Sequence, residues 1–264
     1  MELITSVHNE WVAEARKLQQ KKYRELNGLF LVEGVRLAEE AAKAATVQEV
    51  YYHEALGDTD RGADLLKVLS SKTQRFFKVT AKVMQSLAET ASPQGVVCVC
   101  KSNAAALKDF DLQEGVVLIA DGIQDPGNLG AILRTLWAAG GAGMVCMPGT
   151  TDPYGGKCVR ASMGGIFNLP VFCGLPWASV AKWAGAQGFS VIAADSGGGE
   201  DYRSMVWPGK TLLCIGNEGA GLASVPEEDV DRRVTIPLAQ GADSLNAAVA
   251  AGILIFQSMS GMAR

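Results

Sequence analysis

Hydrophobic and polar positions along the first hundred residues follow two alternating periods. Segments with apolar residues every three to four positions are separated by short apolar runs rich in Val, Phe and Tyr. The first pattern is typical of amphipathic helices and the second of strands. Together they predict helices at 9–25, 35–45, 62–71 and 81–89, and strands at 28–34, 47–53, 73–80 and 94–101. This alternation favours a small α/β unit with a mixed or parallel sheet.

The second half of the chain alternates more strictly, and a small, polar segment at 101–113 precedes it. Continuous apolar runs separated by helical patterns indicate an α/β fold with a parallel sheet and helices on both faces. We therefore expect one domain at 1–100, a linker at 101–113 and a second domain at 114–264. The predicted strands are 116–121, 143–149, 189–195, 211–218 and 232–238. The predicted helices are 128–140, one that begins near 157 and runs into a short strand, 177–188 and 244–259.

Three polar, glycine-rich loops follow strands of the second predicted domain. They are DGIQDPGNLG from residue 121, GNEGAGL from residue 216 and IPLAQGADSLN from residue 236. The carboxyl ends of parallel strands share one edge of a sheet, and ligands bind at that edge in open α/β folds. We therefore expect the three loops to gather into one site.

Each loop carries residue types suited to binding, although each signal alone is weak. Asn128 is expected to cap the helix that follows it, and the stem of Arg134 to lie against the sheet with its head at the cleft. The glycines of the second loop allow the backbone to approach a ligand closely. Ser244 is expected to cap the last helix, with Asn246 in the first turn. Because Asn and Ser at helix starts are more often caps than catalysts, only the combination of loops is specific.

Composition narrows the class of protein. The chain has 264 residues, 48% of them hydrophobic, and no apolar run long enough to span a bilayer. Its N-terminus carries charge where an export signal needs apolar residues, which predicts a cytoplasmic protein without a membrane segment. The six cysteines lie mostly in apolar segments and are interpreted as reduced core thiols, so we expect no metal site. With only two histidines, both remote from the loops, a histidine-dependent hydrolase is disfavoured.

Net charge is −4, so no strongly basic surface follows from the totals. A local basic cluster does occur in the first predicted helix, without an acid between its members: Arg16, Lys17, Lys21, Lys22 and Arg24. A solvated helix face and a patch that contacts phosphates are both consistent with it.

The three loops, in this order, resemble the motifs of SpoU/TrmH-type RNA ribose 2′-O-methyltransferases of the SPOUT superfamily. The segment KCVRASMGGIFNLPV at 157–171 is similar as well. The stretch KKYRELNGLFLVEGVRLAEEA at 21–41 resembles the substrate-binding domain that often precedes the catalytic one. The resemblance covers nearly the whole chain.

The resemblance implies S-adenosylmethionine as methyl donor and a small N-terminal α/β domain that binds RNA, with ribosomal RNA favoured over transfer RNA. It also implies a trefoil knot in the C-terminal part and a homodimer with the active site near the subunit interface. Motif matching assigns the catalytic positions to Asn128, Arg134, Glu218, Ser244 and Asn246. It assigns the cofactor to Gly216, Glu218, Gly221, Ile236, Pro237, Ser244 and Leu245. RNA contacts are expected from Arg16, Lys21, Lys22, Arg24, Arg134 and Arg160.

The resemblance casts Arg134 as the activator of the ribose hydroxyl. A guanidinium keeps its proton at physiological pH, so we interpret Arg134 as a charge that stabilises the developing alkoxide and grips a phosphate. A phosphate oxygen or water would then accept the proton, and Asn128 would orient the ribose or Arg134.

Several residues depart from the family pattern. Leu238 and Ala247 change packing more than chemistry, Trp137 is bulky where small residues are usual, and Asn168 replaces a frequent Arg. Two other classes of function remain as alternatives. One is an inactive, RNA-binding relative, and the other is a dinucleotide-dependent oxidoreductase. The second is disfavoured because no G-x-G-x-x-G follows the first strand of either half.

Overall fold

A computed structural model describes residues 3–103, 106–217, 219–240 and 244–260. The chain divides into two compact units. The first holds residues 1–103 and 154–167, and the second holds 104–153 and 168–264. The segment 154–167 thus packs within the first unit, although it comes from the middle of the second half of the sequence. The predicted domain boundaries themselves stay a prediction.

The first unit is built on a five-stranded mixed sheet. Its strands are β1 (Leu3–Ile4), β2 (Leu29–Glu33), β3 (Val47–Tyr52), β4 (Arg75–Val79) and β5 (Val96–Lys101). They lie in the order β1-β4-β3-β5-β2, and β5 runs antiparallel to both of its neighbours. The helices are α1 (Glu10–Lys17), α2 (Lys21–Asn27), α3 (Val35–Ala44), α4 (Asp60–Ser70) and α5 (Ala81–Leu87), with a 3₁₀ turn at Glu54–Asp58. The predicted mixed sheet is confirmed.

The prediction of one helix over 9–25 is wrong. Helix α1 ends at Lys17, and α2 begins only at Lys21 after Gln20 adopts an extended conformation. The side-chain amide of Gln19 donates to the carbonyls of Ser86 and Leu87, both at 3.2 Å. We attribute the break to these hydrogen bonds, since they hold residue 19 against the end of α5.

The second unit is built on a seven-stranded sheet in which every pair is parallel. Its strands are β6 (Gly115–Ala120), β7 (Gly143–Cys146), β8 (Val171–Cys173), β9 (Ser190–Ala194), β10 (Glu200–Asp201), β11 (Lys210–Ile215) and β12 (Arg232–Thr235). They lie in the order β10-β12-β9-β11-β6-β7-β8. All six residues of β6 are buried, as expected for a strand covered on both faces. The predicted parallel sheet flanked by helices is confirmed, and the trefoil knot stays a prediction.

The remaining helices flank this sheet or connect its strands. They are α6 (Pro126–Ala139), α7 (Gly156–Ser162), α8 (Gly165–Asn168), α9 (Trp177–Gln187) and α10 (Ala247–Met259), with 3₁₀ turns at Leu107–Asp109 and Glu227–Asp229. The helix expected from 157 is split, because Met163 and Gly164 have positive φ angles of 49° and 104°. No helix within the described ranges is both long and apolar enough to cross a membrane.

Candidate functional site

The three glycine-rich loops meet at one edge of the seven-stranded sheet, as predicted. Strand β6 pairs with β11, and β9 lies between β11 and β12, all of them parallel. Their carboxyl ends therefore point the same way. The first and second loops are joined directly, since the Asn217 side-chain amide donates to the carbonyl of Gly122 at 3.1 Å.

A buried carboxylate links the first loop to the two residues that directly follow the second loop. Asp121 follows β6 and is completely buried. Its Oδ2 accepts the backbone N–H groups of Ala223 and Ser224, both at 2.7 Å, and its Oδ1 accepts the Ser224 hydroxyl at 2.7 Å. Sequence reasoning missed this role. The available signal was an acid directly after a continuous apolar strand, where a buried charge requires several donors.

The second loop needs glycine for steric reasons. The backbones of Asn217 and Gly221 form a two-way bridge, each N–H donating to the other's carbonyl at 2.9 Å. A Cβ on Gly216 would lie 2.4 Å from the backbone of Gly221, and Gly221 has a φ of 66°. Asn217 Oδ1 also accepts from the N–H groups of Gly219 and Ala220. The loop is therefore a tight turn fixed by its own backbone.

A cavity of about 330 Å³ lies between the second and third loops. Its volume falls within the range of roughly 300–1,000 Å³ that small-molecule sites occupy. Apolar side chains form much of the wall, and backbone from the second loop forms another part. The lining residues include Ala194, Ile215, Leu222, Val225, Val230, Val234, Leu238, Ala247, Ala250 and Leu254.

One wall of this cavity carries charge. Arg233 donates from Nη1 to Asp195 Oδ2 at 2.6 Å and also pairs with Glu227. Glu227 is the main cause of a raised pKa of the Arg233 guanidinium, so the cation is permanent. All three side chains line the cavity. Sequence reasoning missed the Arg233–Asp195 pair because the two residues are 38 positions apart, and only the pairing of β12 with β9 brings them together.

The structure places most of the predicted cofactor residues on this cavity. Gly216, Gly221, Ile236, Ser244 and Leu245 belong to its wall. Pro237 is described but is not among the lining residues, and Glu218 lies outside the described residues. The assignment of these residues to a cofactor stays a prediction.

Two predicted active-site amides meet beside the cavity. Asn246 Nδ2 donates to Asn128 Oδ1 at 3.1 Å, which joins the start of α10 to the start of α6. The predictions that Asn128 caps α6 and that Asn246 lies in the first turn of α10 were wrong. Asp125 caps α6 and accepts from the Asn128 N–H at 2.9 Å, because Pro126 occupies the first helical position. Asn246 itself caps α10, so Ser244 lies before the cap.

Arg134 lies on α6 away from the cavity wall. Its neighbours Leu133 and Leu136 are fully buried, whereas Arg134 is exposed. The expectation that its stem lies against the sheet with its head at the cleft stays a prediction. Within the described ranges, no hydrogen bond or ion pair involves its guanidinium. The group is thus available to a ligand or another chain.

The basic cluster in the first unit is only partly available. Arg24 donates from Nη1 to the carbonyl of Leu18 at 2.7 Å and so supports the turn between α1 and α2. The other three predicted RNA contacts in this region are named here the basic trio: Arg16, Lys21 and Lys22. Lys21 and Lys22 are exposed, and Arg16 is half-buried.

Arg160, also predicted to contact RNA, is engaged within the first unit. Its Nη1 lies 3.1 Å from Glu89 and 3.7 Å from Glu33. The Glu33 carboxylate also accepts from the backbone N–H of Glu89 at 2.9 Å. Arg160 therefore anchors the returning segment 154–167, and an RNA contact by it stays a prediction.

The six cysteines are present as thiols, and five of them are buried. Burial raises the pKa of Cys98 to about 12, which keeps this thiol protonated. The structure thus agrees with the interpretation of core thiols. Among the described residues, no group of three or more His, Cys, Asp and Glu is placed to hold a metal ion.

The fold and the cavity define a two-unit α/β protein with a cavity of ligand size at the carboxyl edge of a parallel sheet. Comparison with known proteins identifies its family. Residues 115–256 match the SpoU rRNA Methylase family, and residues 9–98 match the MRM3-like substrate binding domain. The first match covers more than half of the chain, so this chain belongs to the SpoU rRNA methylase family. The predicted family is confirmed.

Individual relatives agree with this membership. The chain is 34% identical over 258 residues to the 23S rRNA (guanosine(2553)-2′-O)-methyltransferase RlmP of Bacillus subtilis (strain 168), covering 97% of this chain and 98% of that one. An S-adenosylmethionine-bound rRNA methyltransferase from Sinorhizobium meliloti has a TM-score of 0.87 at 30% identity, with 100% and 99% of the two chains covered. The SpoU methyltransferase AviRb from Streptomyces viridochromogenes, in complex with the same cofactor, has a TM-score of 0.85 at 28% identity, with 96% and 97% covered.

Proposed function

We propose that this protein transfers a methyl group from S-adenosylmethionine to a ribose 2′-hydroxyl of ribosomal RNA. The observation that carries the proposal is the cavity at the sheet edge. In a chain of the SpoU family, it is built from the second and third loops and adjoins the amide pair of the first and third. Relatives over almost the full chain length carry names of 23S rRNA 2′-O-methyltransferases, which favours ribosomal over transfer RNA.

The residues around the cavity fit S-adenosylmethionine. The apolar wall suits an adenine ring, and the backbone of the second loop offers polar groups at close range because Gly216 and Gly221 carry no side chains. The cofactor would be held by Gly216, Gly221, Ile236, Ser244 and Leu245. When bound, this cofactor supplies a methyl group already activated on a sulfonium sulfur.

The chain's own residues orient the acceptor and manage its proton. The Asn246–Asn128 hydrogen bond fixes two amides at the mouth of the site, where they can orient a ribose. The Arg134 guanidinium stabilises the 2′-oxygen as it loses its proton and binds a neighbouring phosphate. A guanidinium does not accept that proton, so a phosphate oxygen or a water receives it.

The protein acts as a homodimer in this proposal, and helices α6 and α10 form the contact. Helix α10 has no charged residue over its 13 positions, yet Val249 and Phe256 are 52% and 50% exposed. Trp137 on the adjoining α6 is 37% exposed. An apolar face of this kind is typical of an interface. It lies one helical turn from Arg134, which therefore reaches the acceptor near the subunit boundary.

The first unit presents RNA through the basic trio, whose contacts would be to phosphates and would position the substrate without reading its sequence. The proposal includes two further properties. One is a trefoil knot around the second and third loops, and the other is a location in the cytoplasm, where ribosomal RNA is made and modified.

Calorimetry with S-adenosylmethionine, NAD and ribosomal RNA distinguishes the three functions that the sequence leaves open. We expect the methyl donor and RNA to bind and NAD not to bind. Binding of RNA alone would indicate an inactive relative, and binding of NAD alone would indicate an oxidoreductase.

Light scattering on the same preparation should give the mass of a dimer, and Trp137→Glu should reduce it to that of a monomer.

A further inference from the structure

Asp195 is a carboxylate on the cavity wall that the proposed transfer does not use. It follows β9, the direct neighbour of β11, in the register Ala193↔Cys214. Asp195 therefore lies beside Gly216, at the start of the second loop. Its side chain is 29% exposed, and the residue belongs to the cavity lining.

The carboxylate is held rigidly but not saturated. Oδ1 accepts the backbone N–H of Gly197 at 2.7 Å, and Oδ2 accepts Arg233 Nη1 at 2.6 Å. An ionised carboxylate can accept about four hydrogen bonds, two at each oxygen. Each oxygen of Asp195 thus keeps one position after these contacts. Glu227, the other acid on Arg233, has a side chain that is 75% exposed.

Hydroxyl groups suit such a carboxylate, because an O–H can rotate toward an open acceptor position, carries no charge, and bonds more strongly to an ionised acceptor than to a neutral one. In dinucleotide-binding folds, an acid beyond a strand end accepts a ribose hydroxyl of a ligand held by a glycine-rich turn. Asp195 has the same relation to the glycine-rich turn after β11. A cationic partner is less suited, since Arg233 already neutralises this carboxylate.

We propose that Asp195 accepts hydrogen bonds from the ribose diol of the nucleoside part of the cofactor and makes the cavity selective for ribose over deoxyribose. Arg233 is the positioning residue that holds Asp195 in place. This inference rests on the proposed function, since it requires the cavity to bind an adenosine-containing ligand.

The test is calorimetry with S-adenosylhomocysteine and with its 2′-deoxy and 3′-deoxy ribose analogues, without RNA. The natural protein should bind S-adenosylhomocysteine about tenfold to a hundredfold more tightly than at least one analogue, as expected for a hydroxyl that donates to a charged acceptor. In Asp195→Ala, S-adenosylhomocysteine should weaken to the affinity of that analogue, whose own affinity should not change. Asp195→Asn keeps the shape and one acceptor oxygen, and should show intermediate selectivity.

The matched control is Glu227→Gln, which removes the other carboxylate from Arg233. It should keep the preference for ribose even if overall affinity falls. Equal preference for ribose in the natural protein and in Asp195→Asn and Asp195→Ala, with unfolding midpoints unchanged, would overturn the assignment of Asp195 alone. Failure of S-adenosylhomocysteine to bind the natural protein would instead overturn the proposed function.

Discussion

Replacement of Asp121 by alanine should destabilise the second unit strongly. The Asp121 carboxylate is completely buried and accepts three hydrogen bonds from Ala223 and Ser224. Alanine leaves two backbone N–H groups and one hydroxyl without that acceptor. A buried donor left unsatisfied costs about 1–3 kcal/mol, and coupled losses do not add fully. We therefore expect a loss of about 3–5 kcal/mol in the free energy of unfolding.

Asp121→Asn is the informative companion. The asparagine carbonyl can accept both backbone N–H groups, while its NH₂ donates to the Ser224 oxygen. Only the charge assistance is lost, so we expect a cost of about 1–2 kcal/mol. Ser224→Ala removes a single bond and should cost about 1 kcal/mol.

The assay is urea unfolding, followed by tryptophan fluorescence, since four of the five tryptophans belong to the second unit. The midpoint and the slope should both be measured, because two units can unfold separately. The tether also shapes the cavity, so Asp121→Asn should weaken binding of S-adenosylhomocysteine while remaining folded. A loss below about 1 kcal/mol in Asp121→Ala would show that the carboxylate does not hold the two loops together.

Three further predictions concern charge. Arg134→Ala should lower the rate of single-turnover methyl transfer about a hundredfold to a thousandfold and leave cofactor affinity intact. Arg134→Lys should recover little of that rate. Near-normal transfer in Arg134→Ala would show that Arg134 is dispensable. Changing the basic trio to alanine should weaken RNA binding. It should also reduce the slope of log affinity against log salt concentration by about 0.7 for each phosphate that the protein no longer neutralises. An unchanged slope would show that the trio is a solvated helix face. Arg203 lowers the pKa of Asp201 to about 2, below the ordinary unfolded value of about 3.9. The pair's contribution to stability is therefore complete above about pH 3.9 and is lost as the pH falls toward 2. The difference in urea midpoint between Asp201→Asn and the natural protein should shrink between these two pH values. A difference that stays constant would contradict the stabilising role of the pair.

The fold was predictable where one local pattern decided the outcome. Continuous apolar runs marked the strands of the second unit because both faces of a parallel sheet are buried. The start of α6 was predicted wrongly because two neighbouring residues are both suitable helix caps. Asp125 and Asn128 are both good caps, and the choice depended on Pro126, which favours the first helical position. That signal was present in the sequence and was missed.

Other features depend on strand order, which local patterns do not encode. The Arg233–Asp195 pair forms only because β12 lies beside β9. The segment 154–167 packs within the first unit, where Arg160 forms ion pairs with Glu33 and Glu89, which are more than 70 positions away in the sequence. The break at Gln19 likewise follows from its contact with the end of α5. Tertiary partners override helical spacing in such cases.

The most direct test of the account is to map 2′-O-methyl groups in total RNA from cells with and without the gene, and to restore the gene with and without Arg134→Ala. We predict that one 2′-O-methyl group in ribosomal RNA is lost with the gene, returns with the natural protein and stays absent or sparse with the variant. An unchanged set of ribosomal 2′-O-methyl groups, or loss of a group from transfer RNA alone, would contradict the proposal.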